Sequence, residues 1–189
     1  MKKIIFMLWM AICASSVMGQ ENQIVNLQVE TRVDYQREYL DGEAIKSNSG
    51  FKGKYLNVIL NGTINDHWSY SYRQRLNKAH ADQSFFDATD WIHLTYRLND
   101  NWSFNGGKQV VGIGGYEYDR APIDLYFCSE YWNNIPCYQL GVSATYTTNK
   151  GNDSFMAQFC ESPFNFMNED LYAYNLMWYG SHGWYNSIW

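Results

Sequence analysis

Apolar and polar residues alternate strictly along much of this chain. Between Val25 and Gln36 the odd positions are Val, Leu, Val, Thr, Val and Tyr, whereas the even positions are Asn, Gln, Glu, Arg, Asp and Gln. A period of two places successive side chains on opposite faces of a β-strand, and helical periodicity does not produce it. The pattern therefore predicts a strand with one apolar and one polar face.

The same alternation recurs along the chain and predicts an all-β protein with eight clear strands. Helix signals are nearly absent. A ninth strand begins at Trp184, and the sequence ends five residues later. After the first strand, the predicted strands lie in Phe51–Thr63, Trp68–Leu76, Trp91–Leu98, the segment containing Phe104–Gln109, Tyr138–Thr147, Phe155–Phe159 and Tyr172–Trp178.

The connections between these strands fall into two classes, short and long, which alternate along the chain. An up-and-down β-barrel that crosses a membrane has short periplasmic turns at one rim and long extracellular loops at the other. A secreted, soluble β-sandwich binding module is the alternative, but nothing in a sandwich requires this alternation. The short connections are Asn65–His67, Asn99–Asn101, Asn149–Asp153 and Ser181–Gly183; the long ones are Leu40–Gly50, Ala79–Asp87, Val111–Cys137 and Glu161–Asp170.

A repeated motif favours the barrel. The segments Ile64–Tyr70 (INDHWSY) and Leu98–Phe104 (LNDNWSF) start 34 residues apart, and each places a Trp directly after a polar turn. Because the period inside the repeat is two, its unit is strand, long loop, strand and short turn. We predict that Trp68, Trp102 and Trp184 each open a strand on the apolar face and form an interfacial aromatic girdle. In a soluble sheet they would form cross-strand aromatic pairs.

The strand count predicts that the sequence is the N-terminal portion of a larger antiparallel transmembrane barrel. Single-chain bacterial barrels have even numbers of strands. The ninth strand stops short of the ~9–11 residues that cross a bilayer. The alternative is a complete eight-stranded barrel with a short tail after Tyr179.

The N-terminus is predicted to be a secretory signal peptide, residues 1–19. A basic start, MKK, precedes an apolar run from Ile4 to Ala14 and small residues near Gly19. This run is too short for a transmembrane helix, and no apolar run of ~18 residues follows it. Residues 20–189 would then form one barrel domain.

Charge and composition exclude several function classes. Removing the signal peptide takes away two of the 14 basic residues, which leaves 12 against 19 acidic ones and a net charge of −7. This balance argues against a nucleic-acid partner. The four His are scattered singly, so no metal site is expected, and no motif indicates a cofactor or an enzyme. Cys128 and Cys137 either form a disulfide or remain thiols.

The polar face of the predicted strands carries a basic arc. Arg73 and His93 are expected at similar height on neighbouring strands. Arcs of Arg occur in anion-conducting pores, because a guanidinium presents a fixed fork to phosphate or carboxylate. Alternatively, the cations pair with acids such as Glu30 and Asp34 and keep a polar interior satisfied. The candidate pore-lining and anion-binding residues are Arg32, Arg73, Arg75, His93 and Arg97.

The longest connection, Val111–Cys137, is too long and too aromatic to be a simple connector. We predict that it folds into the barrel as a constriction loop. The alternative is an aromatic lid on the outer rim or on a neighbouring subunit. The residues expected at the constriction are Glu117, Tyr118, Asp119, Arg120 and Asp124.

The segment Gly114–Ser143, preceded by FNGGKQ at 104–109, resembles the outer-membrane phosphate-selective porins O and P. Within that family it is most similar to the branch with many members in Bacteroides-like bacteria. The resemblance rests on Gly-Lys-Gln at the end of strand five, Tyr-Glu-Tyr-Asp at the loop start and Asn-Asn-Ile-Pro-Cys-Tyr-Gln at the entry to strand six. It extends from Gln23 to the end of the chain.

The resemblance implies a sixteen- or eighteen-stranded barrel in the outer membrane, of which about half lies in this sequence. It also implies a homotrimer, contact with outer-membrane lipid, and passive diffusion of small anionic or polar solutes without catalysis. Because Glu30 and Asp34 lie among the cations, a general or weakly selective porin fits the residues as well as a phosphate-selective one.

Overall fold

A computed structural model describes residues 24–77, 84–119, 124–125, 128–165 and 170–189. The predicted signal peptide and Arg120 lie outside the described residues. In the described part of the chain, no helix is long and apolar enough to cross a membrane. The helical segments are the 3-10 turn Lys46–Asn48 and the short α-helices Tyr116–Asp119 and Glu130–Asn134.

Eleven strands supply most of the regular structure of the described residues. They are β1 (Asn26–Gln36), β2 (Tyr39–Leu40), β3 (Glu43–Ala44), β4 (Gly50–Thr63), β5 (Trp68–Arg75), β6 (Thr89–Arg97), β7 (Trp102–Val110), β8 (Tyr138–Thr147), β9 (Asp153–Glu161), β10 (Tyr172–His182) and β11 (Tyr185–Ile188).

Nine of these strands form one antiparallel sheet in the order β1-β4-β5-β6-β7-β8-β9-β10-β11. Each strand pairs with its chain neighbour through one turn or loop, and the small β2–β3 hairpin lies inside the first long connection. The eight predicted strands and the start of a ninth are therefore confirmed, as is the alternation of short and long connections. The sheet is not closed, and β1 and β11 are its edges.

The topology contradicts both alternative architectures. A sandwich needs a second sheet, whereas the described residues outside the main sheet contribute only the β2–β3 hairpin. A closed eight-stranded barrel with a tail after Tyr179 would pair β1 with β10. Instead, β10 continues to His182 and pairs with β11 from Tyr179–Ile188 to His182–Tyr185.

The repeated motif forms the same turn twice. Asn65 Oδ1 accepts hydrogen bonds from the backbone N–H groups two and three residues ahead, both at 2.9 Å. Asn99 Oδ1 accepts the two equivalent bonds at 3.0 and 2.9 Å. An Asn side chain that bonds the backbone ahead of it stabilises a tight turn. Each copy of the motif is thus a side-chain-locked turn that directs the chain into the next strand.

Burial in the sheet is inverted relative to a water-soluble protein. The buried residues include ten polar or charged ones and five hydrophobic ones. We call the two sides of the sheet the apolar face and the polar face. Because large apolar side chains cover most of one face and remain exposed, that face is suited to an apolar surrounding medium. The apolar face carries exposed Val29, Leu94, Val142 and Leu176; the polar face carries buried Asn57, Arg73, Ser143 and Gln158.

Aromatic rings line the short-turn rim of the apolar face. Trp68 is the first residue of β5 and packs against Tyr96 with ring centroids 4.9 Å apart. Trp102 is the first residue of β7 and packs against Tyr146 at 5.1 Å. The prediction that these two Trp residues open strands directly after short turns is confirmed.

Trp184 does not open a strand, so its predicted position is wrong. It lies in the turn before β11 and is 95% exposed. The reason is that β10 extends through His182, which pairs with Tyr185 and leaves Gly183 and Trp184 as a two-residue hairpin turn. Gly183 has φ 74°, a conformation that such turns require and glycine adopts without strain.

If the apolar face contacts lipid, Leu176→Arg should destabilise the protein in a bilayer by about 2–4 kcal/mol, the cost of Arg at the midplane of a barrel. Leu176 is 82% exposed, so in water the same change would remove no packing. Urea unfolding from phospholipid vesicles measures the difference. The matched control, Ile64→Arg, lies in a short turn beyond the apolar band and should change stability by less than half as much. Equal effects of the two substitutions would contradict lipid contact at Leu176.

Candidate functional site: the polar face of the sheet

Strand register places the predicted basic residues at different heights on the polar face. Arg73 pairs with Trp91, whereas His93 pairs with Ser71. Direct partners in an antiparallel pair share a face, so Arg73 and His93 are on the same face but ~7 Å apart along the strands. The two residues were expected side by side, but they lie one same-face position apart along the strands.

Arg97 lies away from the other arginines. It is the last residue of β6, six positions from Trp91 or ~20 Å along the strand. Its backbone N–H donates to the carbonyl of His67 at 2.7 Å, and its own carbonyl accepts from His67 Nδ1 at 2.8 Å. The structure thus places Arg97 at the short-turn rim and does not bring it together with Arg73 and Arg75.

Arg73 and Arg75 share one carboxylate. Arg73 Nε lies 2.6 Å from Asp90 Oδ2, and Arg75 Nε lies 2.6 Å from Asp90 Oδ1. The Arg73 guanidinium is 4.0 Å from the centroid of the Trp91 ring and donates to the Tyr138 hydroxyl at 2.7 Å. Burying each ion costs several kcal/mol, so the cluster is stable only because every charge has partners. It carries one net positive charge.

Asp90 reaches this cluster through a β-bulge. Arg73 pairs with Trp91 but Gln74 pairs with Thr89, so Asp90 is an extra residue in β6. Bulges redirect side chains, and this one turns Asp90 away from the apolar face to which strict alternation assigns it. Sequence reasoning missed Asp90 for that reason. The available signal was a carboxylate in the apolar register of a strand, where it would face hydrocarbon at high cost.

Tyr138 was also assigned to the wrong face by alternation. It is the first residue of β8, where the strand has just begun, and its ring centroid lies 6.0 Å from that of Trp91. Its contact with Arg73 joins β5 to β8, three strand spacings apart, or ~14 Å along a flat sheet. Side chains meet across that distance when the sheet curves, so the polar face is concave at the loop end.

Arg32 is paired with an acidic neighbour. Its Nη2 lies 2.8 Å from Asp34 Oδ2, and Glu30 accepts a hydrogen bond from Asn57 Nδ2 at 3.3 Å. Arg32, Arg73 and Arg75 are thus all paired with carboxylates. This agrees with the alternative interpretation, in which the cations and acids of the polar face neutralise each other. Whether these residues also line a pore stays a prediction.

The first part of the long loop lies across the polar face. The N–H of Gly112 donates to Gln158 Oε1 at 2.7 Å, which anchors the segment 111–115 over β9. A Cβ at Gly112 would lie 2.9 Å from the ends of the Met156 side chain of β9 and the Met177 side chain of β10, which shows how closely the loop approaches these strands. The loop therefore turns inward onto the polar face directly after β7.

The middle of the loop is held by its own contacts. The Glu117 carboxylate accepts hydrogen bonds from the Ser129 N–H at 2.7 Å and from its hydroxyl at 2.5 Å. The Ser129 hydroxyl also caps the helix Glu130–Asn134 by accepting from the N–H of Trp132 at 3.2 Å. Tyr118 packs edge-on against Trp132 with centroids 4.9 Å apart, and burial raises its pKa. Among the predicted constriction residues, Glu117 and Tyr118 are thus structural.

The far part of the loop reaches the opposite edge of the sheet. Arg32 Nη1 of β1 donates to the carbonyl of Leu125 at 2.7 Å. The described parts of the loop thus contact both β9, through Gly112, and β1, through Leu125. Asp124 is exposed beside this contact, and Asp119 is the last residue of the helix Tyr116–Asp119. The path agrees with a loop that narrows an interior, and its role as a constriction stays a prediction.

The cysteines do not form the disulfide left open by the sequence. Cys128, Cys137 and Cys160 are all thiols. Burial, followed by the nearby Glu117 carboxylate, raises the pKa of Cys128 and keeps that thiol protonated. Within the described ranges, no group of three or more His, Cys, Asp and Glu residues is placed to hold a metal ion.

A cavity of about 230 Å³ separates the base of the loop from the polar face. His93 and Gln109 both line it, and neither His93 Nδ1 nor Gln109 Nε2 has a hydrogen-bond partner among the described residues. Buried polar atoms are normally satisfied by protein or by water. At ~30 Å³ per molecule, the cavity has room for several waters. The polar face is thus suited to a hydrated interior.

Comparison with known proteins identifies the family. The family model for phosphate-selective porin O and P matches residues 25–182, or 158 of the 189 residues. Neither the curated proteins nor the solved structures include a match to the chain. This family consists of outer-membrane β-barrel porins rather than enzymes, in agreement with the meander, the exposed apolar face and the buried polar face. The chain belongs to the phosphate-selective porin O and P family.

Proposed function

We propose that the protein is an outer-membrane porin that lets small hydrophilic solutes diffuse passively, with a weak preference for anions. The observation that carries this proposal is the inverted burial of the sheet. An apolar face with side chains such as Leu176 at 82% exposure is stable against lipid, whereas the opposite face holds buried charges and amides. A sheet of this kind separates hydrocarbon from an aqueous interior.

The long loop supports a channel that is narrowed from within. Its base is anchored to Gln158 on β9 and its far part to Arg32 on β1, so its described parts contact two widely separated strands of the sheet. Internal contacts such as Glu117 with Ser129 keep it compact. We propose that this segment is the constriction loop and that it limits the size of the solutes that pass.

The charge on the polar face supports a weak anion preference rather than phosphate specificity. By strand register this face carries five cations and three carboxylates, a small positive excess in a chain whose net charge is −5. The carboxylates bind directly to three of the cations. A dense ladder of available cations is absent from the described strands. The cations are Arg32, Lys52, Arg73, Arg75 and Arg97, and the carboxylates are Glu30, Asp34 and Asp90.

The larger assembly follows the family pattern in this proposal. Residues 1–19 serve as the signal peptide for export, and residues 20–189 contribute to a barrel of sixteen or eighteen strands in the outer membrane. The barrel assembles as a homotrimer. The placement in a membrane is supported by Trp68 and Trp102. Their rings pack against Tyr96 and Tyr146 at one rim of the sheet, as an interfacial girdle requires.

The direct test is single-channel recording of the full-length product in planar bilayers. We expect discrete conductance steps. In a salt gradient the reversal potential should be displaced toward the equilibrium potential of the anion. The displacement should be modest because the carboxylates neutralise much of the positive charge. A purified, folded product that gives no steps would rule out the porin proposal, and cation preference would rule out the basic-face component alone.

Asp90→Asn should raise the anion-to-cation permeability ratio by up to about tenfold, because removing one unit negative charge at ~6 Å in water lowers the energy of an anion and raises that of a cation by ~0.7 kcal/mol each. The substitution keeps the shape of the side chain but releases Arg73 and Arg75 from their shared carboxylate. Reversal potentials in a salt gradient measure the ratio. Arg75→Gln added to Asp90→Asn should return the ratio toward its original value.

The matched control for Asp90 is Asp87→Asn, three residues earlier and just before β6. Asp87 accepts hydrogen bonds from the N–H and hydroxyl of Ser84, which lower its pKa and keep it ionised. It therefore loses the same unit charge without freeing an arginine, and the ratio should change less than with Asp90→Asn. If both substitutions shift the ratio equally, the pairing with arginine has no role and only the charge count matters.

Arg32→Gln should loosen the far part of the constriction loop, since it removes the hydrogen bond to Leu125 and the ion pair with Asp34. The expected result is greater current noise in the open channel and a larger mean conductance. Arg37→Gln is the control, because Arg37 directly follows β1 and its guanidinium lies over the ring of Tyr39, 5.5 Å from the centroid. Indistinguishable noise in the two variants would show that Arg32 does not restrain the loop.

A further inference from the structure

A cleft of about 740 Å³ opens at the loop end of the sheet, and we call it the loop-end cleft. One wall is formed by Phe86 and Asp87 before β6, and the other by the loop segment 132–137. Tyr55 and Gln139 line its base between these walls. Its volume falls within the ~300–1,000 Å³ typical of sites for small molecules.

The charges around the loop-end cleft cancel. Three cations and three carboxylates line it, and two of the cations are engaged by the protein. Arg75 is bound to Asp90 at 2.6 Å, and Lys108 Nζ donates to the carbonyl of Phe86 at 2.9 Å. An inorganic anion therefore meets no excess of positive charge. The charged lining residues are Lys54, Arg75, Lys108, Asp87, Asp90 and Glu161.

The uncharged lining is rich in groups that recognise hydroxyls. Asn133, Asn134 and Gln139 contribute three primary amides. The amide nitrogens of Asn133 and Asn134 donate to the carbonyls of Cys128 at 3.4 Å and Glu130 at 2.7 Å. These two side chains therefore offer mainly their oxygens as acceptors, whereas the Gln139 amide offers both donors and an acceptor. A sugar hydroxyl both donates and accepts, so such groups match it better than they match a carboxylate or a phosphate. The charged residues of the lining can also bind hydroxyls, because the cations supply further donors and the carboxylates supply further acceptors.

Aromatic rings complete the lining. Trp132 stands on one wall, with Tyr55 and Tyr138 on the strand side. An aromatic ring presents a broad apolar surface next to a polar tip, which suits a pyranose whose ring C–H groups are apolar and whose rim is hydroxylated. Trp132 is held in place by its edge-on contact with Tyr118 at 4.9 Å, so its indole is oriented before any ligand arrives.

We propose that the loop-end cleft binds a small neutral saccharide. Aromatic surface, amides and balanced charge occur together there, and that combination favours a polyhydroxylated neutral molecule over an inorganic anion. The proposal builds on the proposed porin function, because a saccharide held at the loop end would be a solute at the channel entrance. Binding itself does not depend on conduction.

The test is isothermal titration calorimetry of the full-length protein in detergent micelles, with maltotriose as the probe. A poly(ethylene glycol) of equal hydrodynamic size and inorganic phosphate are the comparison ligands. We expect saturable heat with maltotriose at a lower concentration than with either comparison ligand. Because no current is measured, failure of this experiment is distinct from failure of the bilayer test of porin function.

Variants locate the site. Trp132→Ala should weaken maltotriose binding about tenfold, the loss expected when a central aromatic contact is removed. Trp132→Phe should recover part of that loss, and Gln139→Ala, which leaves the loop untouched, should also weaken binding. The matched control is Trp184→Ala, which removes the same side chain from the opposite rim and should leave binding unchanged.

Three outcomes would overturn the proposal. Maltotriose heat no greater than that of the size-matched polymer would show that no site exists. Tighter binding of phosphate than of maltotriose would assign the cleft to anions. An equal loss with Trp132→Ala and Trp184→Ala would place the binding elsewhere.

Discussion

Backbone hydrogen bonding is the constraint on which the rest of this structure depends. Within hydrocarbon no water is available, so each strand must pair its N–H and C=O groups with the strands beside it. A meander satisfies this requirement with minimal connection length, and all nine strands of the main sheet follow chain order. When the two faces of such a sheet contact different media, apolar and polar side chains must alternate along each strand. The period of two in the sequence follows directly.

The same constraint explains why polar residues are buried. The polar face gathers charges and amides at a low local dielectric, where an unsatisfied group is costly and a satisfied one is strongly held. Asp90 joins two arginines, and Gln158 joins the loop to β9. The β-bulge at Asp90 is the local departure from regular pairing that makes the first of these networks possible. Irregular pairing thus appears where charge has to be neutralised.

The sequence predicts what periodicity controls and misses what local geometry controls. The alternation located eight strands and the ninth to within a few residues, because hydrogen-bonded strands and their side-chain faces share the period of two. It missed Asp90 and misplaced Tyr138, since one lies in a bulge and the other at a strand start, where alternation no longer fixes the face. It also placed Arg73 and His93 side by side, although the register separates them by one same-face position, because loop length does not reveal register. The path of the loop to Arg32 depends on tertiary contacts that no local pattern encodes.

The long loop couples the width of the interior to the shape of the loop-end cleft. Its first part covers β9 and β10 through Gly112, and its last part, residues 132–137, forms a wall of the cleft. Between them, Glu117 and Ser129 tie the two parts together, and Tyr118 packs on Trp132. A movement that widened the interior would therefore shift the indole and the amides of the cleft. If this loop is the constriction and the cleft binds a solute, as we propose, one mechanical element serves both roles, and a bound solute would also bias the position of the constriction.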